Sequence, residues 1–161
     1  TWLRGVLALV RPLYPEAKWG YPGLTSQPNS ATSLTFFVES MAGVDACDWV
    51  GAHSYFWNDG DTGFGMSSLD GGMWWKRLRA LTKKPILITE FSCNTPNVDY
   101  YTKGLWYRRY LNLLKSEHGL LGAMAFALSW PGEDINREGW VVGKHVTEIP
   151  AGLIFEEIRN D

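Results

Sequence analysis

The chain has 161 residues, a formal charge of −2 at pH 7 and 14% aromatic residues, nine of them tryptophan. Its length predicts a single domain over residues 1–161 with a sizeable core. The weak negative charge argues against a nucleic-acid partner, and no apolar run reaches the ~18 residues of a membrane span. The two cysteines, Cys47 and Cys93, fit neither a disulfide framework nor a metal site, so we expect free thiols.

The predicted elements alternate along the chain, beginning with an amphipathic helix that Arg11-Pro12 closes. Buried strands are expected where short apolar runs are bounded by glycine, proline or polar residues. They are predicted at residues 18–21, 48–55, 86–89 and 121–129. Helices are predicted at residues 1–10, 33–42, 72–81, 100–116 and 150–159. In this interpretation Pro22-Gly23 ends the first strand, Gly43 ends the second helix, and residues 131–146 form a loop.

The strand centres recur about every 32 to 38 residues, a period typical of βα units in a parallel sheet. Two architectures fit this order: an open doubly wound sheet and part of a (β/α)8 barrel. The glycine motifs of nucleotide sites are missing, because no Gly-x-Gly-x-x-Gly follows the first strand and no phosphate-binding loop is present. A flavodoxin-like nucleotide-binding sheet is therefore the weaker interpretation, and we expect no cofactor.

One stretch carries the strongest chemical signal, Lys84-Pro85-Ile86-Leu87-Ile88-Thr89-Glu90-Phe91-Ser92. It places a lone carboxylate, Glu90, at the C-terminal end of a buried strand. Catalytic and ligand-binding groups gather at the C-terminal ends of parallel strands, so Glu90 is the first candidate for catalysis.

Further polar and aromatic residues are predicted at the same ends of the neighbouring strands. His53 and Tyr55 share one face of their strand, and Trp57 continues that alternation. Trp130 follows the fourth strand and offers a flat apolar face. The ordinary alternative for each is a buried packing residue. Two more candidates for the cleft are Tyr21 and Asn94.

These motifs, His53-Ser54-Tyr55, then Ile88-Thr89-Glu90-Phe91, then Ser129-Trp130, resemble the last units of retaining glycoside hydrolases built on (β/α)8 barrels. The similar enzymes are the cellulase- and mannanase-like clan. The resemblance implies a fold of four βα units, the C-terminal half of such a barrel. It also implies that Glu90 is the nucleophile, supported by His53 and Tyr55, and that Trp130 lies under the sugar.

The resemblance lacks one part, the acid/base glutamate that ends strand four in the clan and would precede Thr1 here. Glu16 and Glu39 are predicted before a strand and within a helix, so neither replaces it. Glu133, Asp134 and Glu138 are expected to be solvated, although one of them could donate the proton.

The sequence therefore predicts a retaining glycoside hydrolase acting on a β-linked polysaccharide or glycan, with its acid/base residue outside this segment. Its expected partners are the carbohydrate and a missing N-terminal half-barrel or another chain that completes the barrel. By itself the segment is expected to be inactive and to associate through its open strand edges. The alternative is a non-catalytic sugar-binding or structural module built from the same half-barrel. The resemblance suggests an extracellular or secreted location.

Overall fold

Four parallel strands form the main sheet of this computed structural model, which describes residues 2–26, 29–126, 128–130 and 133–154. The strands are β1 (Gly20–Thr25), β2 (Trp49–Phe56), β3 (Ile86–Cys93) and β4 (Leu120–Ala125). A separate small sheet contains β5 (Ser129–Trp130), β6 (Val141–Val142) and β7 (His145–Val146), in which β5 and β6 are parallel and β6 and β7 antiparallel.

The order of the main strands in space is their order in the chain, β1-β2-β3-β4, and all three pairings are parallel. A doubly wound sheet reverses its strand order near the middle, whereas a (β/α)8 barrel adds each strand beside the previous one. The sequential order therefore identifies four βα units of a barrel and excludes the flavodoxin-like alternative.

Helices connect the strands on the outer side of the sheet. They are α1 (Trp2–Val10), α2 (Ser30–Glu39), α3 (Met41–Asp45), α4 (Trp75–Leu81), α5 (Tyr100–Leu114) and α6 (Ile149–Ile154), with a 3-10 turn at Arg11–Leu13. Two of the starts are capped by side chains that accept from free backbone N–H groups. Asn29 accepts from Ala31 and Thr32 at the start of α2, and Asp99 accepts from Thr102 at the start of α5.

Some predicted boundaries are wrong. Pro22 and Gly23 lie inside β1, because a proline without an N–H is tolerated on a strand that pairs with β2 alone among the described residues. The helix predicted at 33–42 is divided at Ser40, and Gly43 lies within α3. Glu90 is interior to β3, which continues to Cys93.

The long loop predicted at 131–146 contains the two strands β6 and β7. Gly143 has a positive φ of 59° and allows a two-residue hairpin turn between Val142 and His145. Because Ser129–Trp130 pairs with β6, it belongs to this small sheet, and the strand predicted at 121–129 ends at Ala125.

The core lies between the main sheet and the helices. Strand residues such as Ile86, Ile88 and Phe91 are fully or almost fully buried against aromatic side chains of the helices. Trp74 and Trp75 belong to this core. Both cysteines are buried free thiols, as the sequence predicts. Among the described residues no helix is long and apolar enough to cross a membrane.

The two outer strands of the sheet have open sides within the described chain. β1 pairs with β2 only and β4 pairs with β3 only. On β4, Leu121 is 59% exposed and Met124 is 48% exposed. Unpaired edges with exposed apolar side chains are sites where a further strand or chain binds.

Candidate functional site

A β-bulge in β3 decides where the carboxylate of Glu90 lies. Ala52 is opposite Ile88, but its neighbour His53 is opposite Glu90, so Thr89 is an extra residue in β3. A bulge re-aims the side chains that follow it. Here it brings Glu90 to the face of His53, whereas regular pairing would have placed it opposite Ser54.

The carboxylate of Glu90 contacts two side chains of β2 through one oxygen. The Tyr55 hydroxyl donates to Glu90 Oε2 at 2.5 Å, and His53 Nδ1 lies 3.3 Å from the same atom. Among the described residues, Oε1 of Glu90 has no hydrogen-bond partner. About a third of the Glu90 side chain is exposed, 31%, so solvent reaches this carboxylate.

The two supporting groups are neutral around pH 7. Burial lowers the pKa of His53, and the nearby Glu90 carboxylate opposes this effect. Burial and, second, the hydrogen bond to Glu90 raise the pKa of the Tyr55 phenol. Tyr55 is also packed edge-on against Phe126, with ring centroids 5.7 Å apart, which fixes its orientation. A donor on one carboxylate oxygen holds the carboxylate in a fixed orientation.

The imidazole of His53 has room because a glycine, Gly23, lies in β1 two residues before Thr25, the partner of His53 in the sheet. A Cβ on Gly23 would lie 2.3 Å from His53 Cδ2 and Nε2, and 2.6 Å from Thr89 Oγ1. Only a residue without a side chain allows this approach. Gly23 is a site residue that the sequence interpretation missed, having assigned it to a turn.

The remaining candidates lie at different places. Trp57 follows β2, is 48% exposed, and packs its ring on Phe64 at 4.7 Å between centroids. Asn94 follows β3, and its Oδ1 accepts a 2.7 Å hydrogen bond from Asn136 Nδ2. Both therefore remain near the strand ends where the cleft is predicted.

Tyr21 is not brought to the Glu90 cluster. Its hydroxyl shares a 2.5 Å hydrogen bond with Ser40 Oγ, and its ring packs edge-on against Phe37 of α2. The expectation that it lies beside the cleft fails because its position in β1 points it towards the helices. The side chain of Trp130 lies outside the described part of the chain, so its role as a sugar platform stays a prediction; its backbone pairs with Val142.

Glu138 differs most from expectation. Predicted to be solvated, it is only 3% exposed, and burial raises the pKa of its carboxyl group. Hydrogen bonds from Ser92 and Asn136 oppose this effect, while Oε1 is buried without a partner among the described residues. A single glutamate in a polar loop gives no sequence signal of burial, so the error could not be detected from its pattern.

The described residues contain no group of three His, Cys, Asp or Glu side chains able to hold a metal ion. What the Glu90 cluster can do is present an oriented carboxylate oxygen to an electrophile. Retaining glycoside hydrolysis uses such a carboxylate together with a second carboxyl group about 5–5.5 Å away. Among the described residues, no second carboxylate is bonded to Glu90.

No protein-family model matches the chain, and no curated protein matches it. Solved structures do match. A GH128 (subgroup II) endo-beta-1,3-glucanase from Sorangium cellulosum has a TM-score of 0.63 and 14% identity, over 87% of this chain and 55% of that chain. A family 39 glycoside hydrolase from Bacteroides cellulosilyticus WH2 has a TM-score of 0.68 and 14% identity, over 94% and 36%. A GH128 (subgroup I) endo-beta-1,3-glucanase from Amycolatopsis mediterranei, in complex with laminaritriose and laminaribiose, has a TM-score of 0.58 and 16% identity, over 94% of this chain and 64% of that chain.

These neighbours are TIM-barrel glycoside hydrolases, and their likeness confirms the fold: the chain forms four βα units of a TIM barrel. It spans 36% to 64% of the three neighbours' lengths. Identity this low establishes architecture, and activity must be argued from the site.

Proposed function

We propose that this chain is the C-terminal half of a retaining glycoside hydrolase barrel that cleaves a β-linked polysaccharide or glycan, with Glu90 as its nucleophile. The observation that carries the proposal is the geometry of Glu90. Both contacts within the described chain are to Oε2, so neither of them occupies Oε1, and Glu90 lies in the C-terminal half of β3. The same end of the barrel holds the catalytic groups of characterised TIM-barrel enzymes.

In the proposed reaction, Oε1 of Glu90 attacks the anomeric carbon and the glycosidic C–O bond breaks. A proton passes from the acid/base group to the leaving oxygen, and water then hydrolyses the glycosyl ester with that group acting as base. Tyr55 and His53 hold the carboxylate in the attacking orientation throughout. The predicted sugar contacts are Trp57, Asn94 and Trp130.

Laminarin and laminari-oligosaccharides are the first substrates to test, because two of the similar structures are endo-beta-1,3-glucanases. The family resemblance also makes an extracellular location part of this proposal.

The acid/base group and four further strands are proposed to come from a second half-barrel bound to the open edges of β1 and β4. Beside β1 lies a cavity of about 450 Å³ between α1 and α2. It is lined mainly by apolar and aromatic side chains, including Trp2, Leu3, Tyr21, Pro22, Leu24 and Phe36. The 161 residues alone are therefore expected to self-associate and to bind an apolar dye, as measured by size-exclusion chromatography and fluorescence. A stable, monodisperse monomer would contradict this part of the proposal.

The activity is tested on the full natural polypeptide that contains these residues. Release of reducing ends from laminarin and the anomer of the first product, followed by NMR, measure hydrolysis and its stereochemistry. The proposal expects β-configured products and a loss of roughly 10³-fold or more in kcat for Glu90→Gln. The matched control is Glu16→Gln, the same change at an exposed residue, with activity unchanged.

The second candidate function is a sugar-binding module without catalysis. It would apply if the full polypeptide supplies no second carboxyl group about 5–5.5 Å from Glu90. Binding of laminaritriose without hydrolysis by the full polypeptide would select it over the glycosidase.

A further inference from the structure

A buried lysine outside the Glu90 cluster has an unusual environment. Lys103, in the first turns of α5, is 0% exposed, and burial lowers the pKa of its ammonium group. Its Nζ donates to the carbonyl oxygen of Cys93 at 2.8 Å and to the carbonyl oxygen of Asn136. A buried ammonium is costly unless it has fixed partners, and here those partners belong to two separate elements. Lys103 thus connects the end of β3 to residues 133–147, which we term the capping segment.

The capping segment is further ordered by its own polar contacts. Asp134 accepts from the backbone N–H groups of Glu138, at 2.9 Å, and Gly139, at 2.6 Å. Trp140 stacks on Tyr107 of α5, with ring centroids 6.4 Å apart. The segment is therefore held against α5 over the end of β3, two to four residues along the strand from Glu90.

The segment in turn fixes the backbone that leads to Trp130. The N–H of Val141 donates to the carbonyl oxygen of Leu128 at 2.9 Å, and Val142 is opposite Trp130. A continuous chain of contacts thus leads from Lys103 through Asn136 and β6 to the strand that carries the predicted sugar platform.

We propose that Lys103 is a positioning residue: it fixes the capping segment, and through it the Ser129–Trp130 strand, where the sugar binds beside Glu90. This inference rests on the proposed glycosidase function and adds to it a residue that determines substrate affinity. Lys103 itself contacts no substrate. Its loss is expected to weaken sugar binding while the chemistry at each intact Glu90 continues.

The test uses Lys103→Met in the full natural polypeptide, with Lys115→Met as the matched control. Lys115 is exposed at the end of the same helix, and its Nζ donates to Oδ1 of Asn112, a residue of that helix. Hydrogen exchange at residues 141–146 is expected to accelerate by at least ~10-fold in Lys103→Met and not in the control. KM for laminari-oligosaccharides is expected to rise about 10-fold, while kcat per active site changes less than about threefold. Active sites are counted by covalent trapping, so a lower folded fraction does not alter the measured kcat.

Asp134→Ala is the second variant, because it loosens the capping segment without removing a core side chain. Asp134→Ala is expected to show the same faster hydrogen exchange at residues 141–146 and the same rise in KM. If Lys103→Met does not fold, these two measurements on Asp134→Ala test the proposal instead. Faster exchange with an unchanged KM would overturn the proposal by showing a merely structural contact, and so would unchanged exchange.

A wild type that binds laminaritriose without hydrolysing it would refute the proposed hydrolysis only. The dissociation constant of laminaritriose would then be measured in place of KM, and it is expected to rise about 10-fold in Lys103→Met. A wild type that neither binds nor hydrolyses would overturn both proposals.

Discussion

Substitution of Gly23 by alanine is the sharpest perturbation of the Glu90 cluster. The new Cβ would lie 2.3 Å from two atoms of the His53 imidazole and 2.6 Å from Thr89 Oγ1. The ring must move away by about 1 Å to restore van der Waals contact, which breaks its 3.3 Å approach to Glu90 Oε2. Overpacking of this kind costs about 1–3 kcal/mol of stability. A misplacement of about 1 Å near the reacting groups lowers the rate about 10²-fold.

The assay is kcat/KM of the full polypeptide on laminari-oligosaccharides together with urea unfolding. Gly5→Ala is the matched control, because a Cβ at Gly5 in α1 meets no atom within 4 Å. In that helix the change is expected to stabilise by about 0.5–1 kcal/mol and to leave activity unaltered. If Gly23→Ala behaves like Gly5→Ala in both measurements, the assignment of His53 to the site is refuted.

Three further changes test other contacts. Tyr55→Phe removes the 2.5 Å donor to Glu90, a charge-assisted bond of about 1.5–3 kcal/mol, so kcat/KM should fall roughly 10- to 150-fold. Glu138→Gln should flatten the pH dependence of stability. Because the pKa of Glu138 is raised in the folded protein, the wild-type free energy of unfolding falls as pH rises from the ordinary pKa of 4.5 through the raised pKa. Urea unfolding at several pH values measures this dependence. Gly152→Ala should cost about 1–3 kcal/mol in urea unfolding, since its Cβ would lie 2.2 Å from the Tyr101 carbonyl oxygen and separate α6 from α5.

Each of these expectations has an opposing result. Wild-type activity in Tyr55→Phe would mean that the phenol does not orient the carboxylate. A wild-type stability that rises over the same pH range, or a variant as steep as the wild type, would contradict the burial of Glu138. Gly152→Ala as stable as Gly5→Ala would show that α6 does not pack closely on α5.

The sequence indicates the main sheet well, because buried parallel strands are continuous apolar runs, and the long helix α5 is equally clear. Residues 86–89 and 100–114 illustrate this agreement. Strand ends are less predictable: Pro22-Gly23 resembles a turn signal, yet an edge strand tolerates both residues. The β6–β7 hairpin is signalled only by the glycine between Val142 and Lys144, which is too short a pattern to identify from sequence.

At the site, period-two alternation correctly groups His53 with Tyr55, and the apolar strand correctly leads to Glu90. The alternation cannot reveal the bulge at Thr89 that brings Glu90 opposite His53, because a bulge depends on the pairing between two strands. The same limit applies to the space that Gly23 provides and to the burial of Glu138 and Lys103. These depend on contacts between residues distant in sequence.

The central claim is that Glu90 forms a covalent bond to the sugar. The direct test is to treat the full polypeptide with a 2-deoxy-2-fluoro β-glycoside carrying a good leaving group, and to map the modified peptide by mass spectrometry. We expect one glycosyl group per active site, attached to Glu90, and no labelling of Glu90→Gln. A label on another carboxylate, or hydrolysis that continues with no label on any residue, would contradict it.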